Sequence, residues 1–156
     1  MKLRTVIVLA IFAVAGNAAE LTIGQGVVGA GKPTTLSMQL VSGTDALTGV
    51  QFDLEYDATA LDVSVEAGPV VAQAGKNLQT NLITPGKRRV FIIGLNRNTI
   101  EDGVVATIHV TAKGQLEAGK SYPIHITVPA GTNAKAASVA LKTKDGSVTV
   151  EQRNKL

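Results

Sequence analysis

The stretch Gly49–Leu61 reads GVQFDLEYDATAL and decides the fold class of this chain. Apolar and polar residues alternate strictly along it: Val50, Phe52, Leu54 and Tyr56 are separated by Gln51, Asp53 and Glu55. Successive side chains leave a strand on opposite sides, so strict alternation predicts a strand with one buried face and one solvated face. The polar Asp57-Ala58-Thr59 that follows is typical of a turn.

A second informative stretch, Val90–Val110, reads VFIIGLNRNTIEDGVVATIHV. It predicts a strand, a polar loop and another strand that opens at Asp102-Gly103. Over Arg88–Leu95, apolar residues occupy both phases of the alternation. We therefore expect this strand to be covered on both faces, or to present one face to a partner.

Further alternating segments lie between turn signals along the rest of the chain, and they include Tyr122–Val128 and Ala137–Lys142. No segment keeps a helical period over ten residues. The pattern predicts an all-β chain of about nine strands folded as a β-sandwich. Between the strands we expect flexible turns at Gly24-Gln25-Gly26 and at Gly29-Ala30-Gly31, and a short strand or an irregular crossing over Gly68–Gly75.

The N-terminus has the features of an export signal. Lys2 and Arg4 give a positive start, Val6–Val14 is apolar and uncharged, and Gly16-Asn17-Ala18 offers a small-residue cleavage site. A membrane span needs about 20 apolar residues, so this run predicts a cleaved signal and no membrane span. We expect export to the extracellular medium, the cell surface or the periplasm.

The domain organisation predicted from these features has three parts. Residues 1–18 are a signal peptide, residues 19–151 form a single β-sandwich domain, and residues 152–156 are a frayed polar tail. No internal repeat and no linker rich in Pro, Thr or Ser divides the middle part.

Composition excludes several classes of function. The chain has no cysteine, so it has neither disulfides nor thiol chemistry, and its stability must come from a hydrophobic core. The formal charge of +3 includes Lys2 and Arg4 of the predicted signal, and no basic patch with interleaved aromatics is present, so nucleic acid is not an expected partner. Aromatic residues make up only 3%, which argues against a stacking platform for sugars.

Asp53 and Glu55 are the one pair of carboxylates that invites a catalytic interpretation. They are expected on the wet face of one strand, about 7 Å apart, a separation within the range of glycoside hydrolases. A catalytic acid needs a protected cleft that raises its pKa, and a flat sheet face offers none. The solvated-face interpretation is therefore preferred, and the chain is predicted not to be an enzyme.

Two weaker patterns could bind a metal ion. His109 and His125 lie on the polar phase of their strands and would approach one another if those strands were neighbours, but a closed zinc site needs four ligands. Asn96–Asp102 could offer oxygens to calcium, yet such a site needs six or more. Surface histidines and an ordinary loop are preferred, so no metal and no cofactor are predicted.

Four motifs, taken in order, resemble those of the cohesin domain, the β-sandwich module through which bacterial cellulosomal scaffolds hold dockerin-bearing enzymes. The resemblance runs from about Ile23 to Val150. The motifs are the Gly-rich opening followed by Thr34–Leu40, the Gly49–Asp57 strand with Leu61 after it, Val90-Phe91 leading to Asp102–Ile108, and the closing strand Asp145–Val150. The resemblance implies a jelly-roll sandwich similar to cohesins and carbohydrate-binding modules.

The resemblance also implies a function and a binding face. A cohesin is a non-catalytic module with a protein partner, here a dockerin-like one with calcium on the partner's side, acting in extracellular polysaccharide breakdown. Cohesins bind through a face formed in part by strands that match Val50–Tyr56 and Arg88–Leu95. On these strands and just beyond them, the resemblance points to seven partner-binding residues: Gln51, Asp53, Glu55, Arg89, Ile93, Leu95 and Asn96.

This chain departs from the family pattern at one place. Many type I cohesins carry an Asn and an Asp two residues apart just before the Phe, where this chain has Gly49 and Gln51. Polar groups in a desolvated contact contribute about 1–3 kcal/mol each, so the departure argues against type I dockerin recognition. The alternative function is a glycan-binding or adhesion module with polysaccharide as its ligand, against which the scarcity of aromatics argues.

Overall fold

The structure, a computed structural model, describes residues 18–152. Most of the predicted signal peptide and most of the predicted polar tail lie outside these residues. Within them the chain forms twelve strands and one short helix: β1 (Ala19–Ile23), β2 (Gln25–Val28), β3 (Thr34–Val41), β4 (Gly49–Glu55), β5 (Leu61–Ala67), α1 (Pro69–Gln73), β6 (Asn77–Thr84), β7 (Lys87–Ile93), β8 (Gly103–Ala112), β9 (Ser121–Thr132), β10 (Ser138–Val139), β11 (Leu141–Lys144) and β12 (Gly146–Val150).

The strands form two sheets that pack as a sandwich. The five-stranded sheet has the order β11-β1-β3-β8-β5, and the seven-stranded sheet has the order β2-β12-β9-β4-β7-β6, with β10 paired to β9. Neighbouring strands are antiparallel except for β1 with β11 and β2 with β12, which are parallel. The all-β sandwich prediction is confirmed, with more strands than the nine expected.

The core lies between the two sheets and follows from the alternation in the sequence. On β4, Val50, Phe52 and Leu54 point inward and are almost completely buried. Strand β3 of the other sheet supplies Leu36, Met38 and Leu40 in the same way. Burying such a side chain contributes about 1.5–3 kcal/mol, so a core of this kind stabilises the sandwich without disulfides.

The chain changes sheets at glycines near its N-terminus. β1 belongs to the five-stranded sheet and β2 to the seven-stranded one, and only Gly24 lies between them. A Cβ at Gly146 would overlap the Ile23 side chain and the Gly24 carbonyl oxygen, so this crossing requires glycine there. The expectation of a flexible turn at Gly24-Gln25-Gly26 is wrong, because Gln25 and Gly26 belong to β2 and pair with β12 from the far end of the chain.

Two further local expectations are corrected. Ala137–Lys142 is not one strand, because β10 pairs with β9 in one sheet and β11 pairs with β1 in the other. Gly68–Gly75 contains helix α1 rather than a strand: Pro69 supplies the fixed φ of a first helical turn, and Val70 and Val71 are buried. Five residues are too few to display a helical period. Among residues 18–152, no helix is long and apolar enough to cross a membrane.

Candidate functional site

The solvent side of β9, β4, β7 and β6, called the outer face below, carries most of the predicted partner-binding residues. Strand pairing arranges its side chains in rows across the sheet. Three rows cross β9, β4 and β7 in that order: Ala130, Gln51 and Phe91; Thr127, Asp53 and Arg89; His125, Glu55 and Lys87. The Val50–Tyr56 and Arg88–Leu95 segments, which the resemblance assigned to one face, are thus directly paired as β4 and β7.

Asp53 lies at the centre of the outer face and is 0% exposed, although the alternation placed it on the solvated side. Arg89 covers it with two parallel hydrogen bonds, from Nε to Oδ1 at 2.7 Å and from Nη2 to Oδ2 at 3.0 Å. The expectation of a solvated Asp53 is wrong because a long side chain on the neighbouring strand lies over it. The hydrogen bonds from Arg89, followed by the nearby positive charges of Arg89 and Lys87, hold the pKa of Asp53 below its ordinary value.

Glu55 and Lys87 extend the ion pair of Asp53 and Arg89 into an ionic network of four side chains on β4 and β7. Lys87 Nζ lies 3.0 Å from Glu55 Oε1 and 3.8 Å from Asp53 Oδ2, and Thr127 Oγ1 donates to Glu55 Oε1 at 3.1 Å. The hydrogen bond from Lys87 lowers the pKa of Glu55, and the same contact raises the pKa of Lys87. Each carboxylate is therefore paired with a basic side chain, and neither has the raised pKa of a catalytic acid.

An apolar stripe, made of Phe91, Ile93 and Leu95, runs beside this network along β7 and just past its end. Phe91 is half-buried, Ile93 is 47% exposed and Leu95 is fully exposed. A shallow depression of about 510 Å³ lies next to Ile93 and Leu95 and is bordered by Asn77 and Gln79. The expectation that both faces of this strand are covered is wrong, because Ile93 is exposed on the outer face. The alternative, that this face meets a partner, stays a prediction.

The loop after the stripe is held in position by amide side chains. Asn96 Nδ2 donates to the carbonyl oxygens of Ala74 at 3.2 Å and Gly75 at 3.0 Å, and Asn98 Nδ2 donates to Ala74 O at 3.2 Å. These carbonyls belong to the two residues that follow α1, where backbone carbonyls have no partner within the helix. Asn96 is thus a positioning residue that fixes the loop directly after Leu95.

Lys76 is a buried residue of the site that sequence reasoning missed. It is only 4% exposed, its Nζ donates to Asn96 O at 2.8 Å, and burial lowers its pKa. Its position after Gly75 in a turn gives no sequence signal, because lysines in turns are ordinarily solvated. Together with Asn96 it ties the start of β6 to the loop that carries Leu95.

A bulge in β9 also shapes the outer face without having been predicted. The register of β9 against β4 shifts between Gln51 and Asp53, and Val128 adopts a φ of 48° there. Val128 is left exposed beside the central row. An extra residue in one strand shifts the alternation by one position, so the pattern before the bulge does not predict which side chains face inward after it.

A sequence model described as the cohesin domain matches residues 19–150. The match covers the whole sandwich, including both strands at the centre of the outer face. The chain belongs to the cohesin family. Among curated proteins, no sequence matches this cohesin.

Solved structures of the same fold come from bacteria and an archaeon. The sixth cohesin of scaffoldin B from Acetivibrio cellulolyticus, in complex with the Cel5 dockerin, has a TM-score of 0.77 and 23% identity over 86% of this chain and 100% of its own. The Coh-OlpA-Doc918 complex from Clostridium thermocellum gives 0.76 and 20%, over 86% and 99%. A non-cellulosomal cohesin from Archaeoglobus fulgidus gives 0.72 and 13%, over 88% and 94%.

Family membership establishes the class of function. Cohesin domains are non-catalytic protein-binding modules, and this cohesin is one of them. The geometry agrees, since Asp53 and Glu55 are engaged in ion pairs rather than held in a cleft.

The two histidines of this cohesin lie on different sheets. His109 on β8 lies 3.0 Å from Glu66 Oε2, and His125 on β9 lies 2.8 Å from Asp145 Oδ2. The idea that they approach one another is therefore wrong. Within residues 18–152, no group of three or more His, Cys, Asp or Glu side chains is arranged to hold a metal ion.

Two side-chain oxygens of the Asn96–Asp102 loop accept hydrogen bonds from backbone N–H groups. Asn96 Oδ1 accepts from the Asn98 N–H at 3.1 Å, and Asp102 Oδ1 accepts from the Ser42 N–H at 2.7 Å. These contacts support the ordinary-loop interpretation over a calcium site.

The depressed pKa of Asp53 predicts acid sensitivity. Because the pKa is lower in the folded state, the carboxylate adds stability above the unfolded-state pKa of about 3.9. That stability is lost as the pH falls through the folded-state pKa. We expect the urea midpoint, followed by circular dichroism, to be flat from about pH 8 to 5 and to fall below about pH 4. Asp53→Asn should show a shallower fall, and an unchanged slope in that variant would contradict the assignment.

Proposed function

We propose that the outer face of this cohesin is the docking surface for a helical protein partner of the dockerin type. The observation that carries the proposal is the apolar stripe, in which Ile93 and Leu95 are exposed, beside a fixed ionic network. Two of the similar structures are complexes of a cohesin with a dockerin, which supports a partner of this kind.

The stripe supplies the attraction in this proposal. Burying a side chain of the size of Ile93 or Leu95 contributes about 1.5–3 kcal/mol, and neither is needed by the core. Lys76 and Asn96 hold the loop after Leu95 in place, so less conformational entropy is lost on binding. Ile93 and Leu95 are therefore the expected hot spots of the contact.

The ionic network holds the centre of the outer face in a fixed arrangement and adds almost no net charge to it. Arg89 and Lys87 are neutralised by Asp53 and Glu55, so the centre of the face is fixed and nearly neutral. Gln51, half-buried beside Phe91, offers one amide that both donates and accepts. In this proposal Gln51, Glu55 and Arg89 contact the partner, whereas buried Asp53 holds Arg89 in position.

The biological setting follows from the same proposal. The signal-like N-terminus supports export, and a dockerin-type partner would bring its own calcium ions to the complex. The cohesin would then attach extracellular or surface proteins that act in polysaccharide breakdown, while the chain itself supplies no catalytic group.

Glycan binding gains no support from the positions of the aromatic residues. Of the four aromatic side chains in residues 18–152, Phe52 and Tyr122 are buried and Tyr56 packs against the core. Phe91 alone lies on the outer face, and it is half-buried. Sugar recognition by stacking needs exposed aromatic surface. Polysaccharide binding is therefore kept only as the alternative result of the experiment described next.

Affinity capture with the purified protein tests this function. We expect immobilised protein to retain, from the secreted and envelope proteins of the producing organism, proteins with paired Asp-rich calcium loops. Retention should occur in calcium and disappear in a chelator, because the loops of such a partner need the ion to fold. A bait carrying Ile93→Asp and Leu95→Asp is the matched control and should retain none of them.

The opposite result is equally specific. Failure to retain any calcium-loop protein, together with binding of the bait to insoluble polysaccharide, would overturn the docking function and favour the glycan-binding alternative. Equal retention by both baits would show that the partner uses another surface.

A further inference from the structure

β6 forms the free edge of the seven-stranded sheet and borders the outer face on that side. It pairs only with β7, and within residues 18–152 no other backbone hydrogen bond reaches Asn77–Thr84. Its sequence, NLQTNLIT, has eight residues without a charge or a proline. An edge of this length with open N–H and C=O groups can accept another strand.

The other three sheet edges differ from β6 in this respect. β5 carries Asp62 and Glu66, β11 carries Lys142 and Lys144, and β2 has only four residues. Charged side chains and short strands are the common means by which proteins prevent pairing between edges. Of the sheet edges in the described part of the chain, β6 alone has neither protection.

We infer that β6 is a self-association strand, through which two copies of this chain pair antiparallel about a two-fold axis at Thr80. This inference is independent of the proposed partner. In that register Leu78 of one copy lies opposite Leu82 of the other, and Gln79 lies opposite Asn81. Opposite residues then share a face of the extended sheet, as strand geometry requires.

The side chains of β6 fit this register. Leu82 is 57% exposed on the inward-pointing phase, and pairing would place it against a second apolar side chain. The amides of Gln79 and Asn81 both donate and accept, so they complement each other without a charge. Thr80 is already fixed on its own copy by the hydrogen bond from Arg88 Nη1 at 3.1 Å. The strand is thus complementary to itself, which an isologous contact demands.

Sedimentation velocity on the purified protein tests the association. A contact limited to one strand is small, so we expect a monomer–dimer equilibrium with a dissociation constant of about 10–100 µM. Leu82→Lys places a charged side chain opposite the apolar Leu78 at each end of the contact and should weaken the dimer at least tenfold. Val27→Lys is the matched control, since Val27 is 59% exposed on the β2 edge, and it should leave the equilibrium unchanged.

Cysteine cross-linking tests the register in a chain that has no cysteine of its own. Directly opposite residues have Cα atoms about 4.5–5.5 Å apart, which suits a disulfide. Mixing Gln79→Cys protein with Asn81→Cys protein should give a cross-linked dimer on mild oxidation, faster than Gln79→Cys protein alone. A monomer at every concentration, an unaffected Leu82→Lys dimer, or cross-linking no faster than the control would overturn the inference.

Discussion

Replacing Ile93 and Leu95 together by aspartate is expected to weaken partner binding at least a hundredfold. Both side chains are exposed in the free protein, so the fold should tolerate the change. In a complex each carboxylate would be buried against apolar surface without a counter-charge, which costs several kcal/mol, and about 1.4 kcal/mol corresponds to a tenfold loss. Titration calorimetry with the captured calcium-loop protein measures the dissociation constants of the unchanged protein and of the double variant.

The control for this prediction lies on the same sheet. Val27 is as exposed as Ile93 but sits on β2, beyond β9 and β12 from the stripe. Val27→Asp should therefore bind the partner like the unchanged protein. Wild-type affinity in the double variant would show that the stripe is not the contact, whereas loss of binding in the control would point to a folding defect.

Asp53→Ala is expected to have the second large effect, on stability as well as on binding. The change removes a buried carboxylate that accepts two hydrogen bonds from Arg89, and it leaves that guanidinium without its partner. We expect the free energy of unfolding to fall by about 1–3 kcal/mol, less than for a fully enclosed ion pair because Arg89 can reach water. Urea unfolding followed by circular dichroism measures the loss.

Asp62→Ala provides the comparison for this experiment. Asp62 lies on the exposed edge strand β5, and its Oδ1 is 3.4 Å from Lys113 Nζ. Exposed ion pairs of that kind contribute little to the free energy of unfolding. Its unfolding curve should match that of the unchanged protein. Equal losses in the two variants would contradict a special role for Asp53. The Asp53 variant should also bind the partner more weakly, since Arg89 then loses its fixed position.

The core could be predicted from the sequence, because burial there is a property of one strand at a time. Val50, Phe52 and Leu54 alternate with polar residues, and they are buried as the alternation requires. The same rule failed at Asp53, whose burial depends on Arg89 reaching across from β7. Alternation assigns a residue to a side of the sheet, but it contains no information about what lies over that side.

Elements that depend on distant partners were missed for a related reason. β2 is short and lies in a glycine-rich segment, and it is a strand only because β12 pairs with it in parallel. Lys76 is buried because α1 and the Asn96 loop meet around it. No local pattern of apolar and polar residues marks such positions, since the contacts join segments far apart in sequence.

The sequence by itself determined the all-β class, the inward-facing residues of the long strands and, through the order of its motifs, the cohesin family. Each of these rests on local periodicity or on residues read in order along the chain. The tertiary structure alone decided which side chains on the outer face remain free. It enclosed Asp53 within an ionic network, left Ile93 and Leu95 exposed, and placed the uncharged β6 at a sheet edge. Exposure depends on neighbours from other strands, so it becomes defined only when the strands are paired.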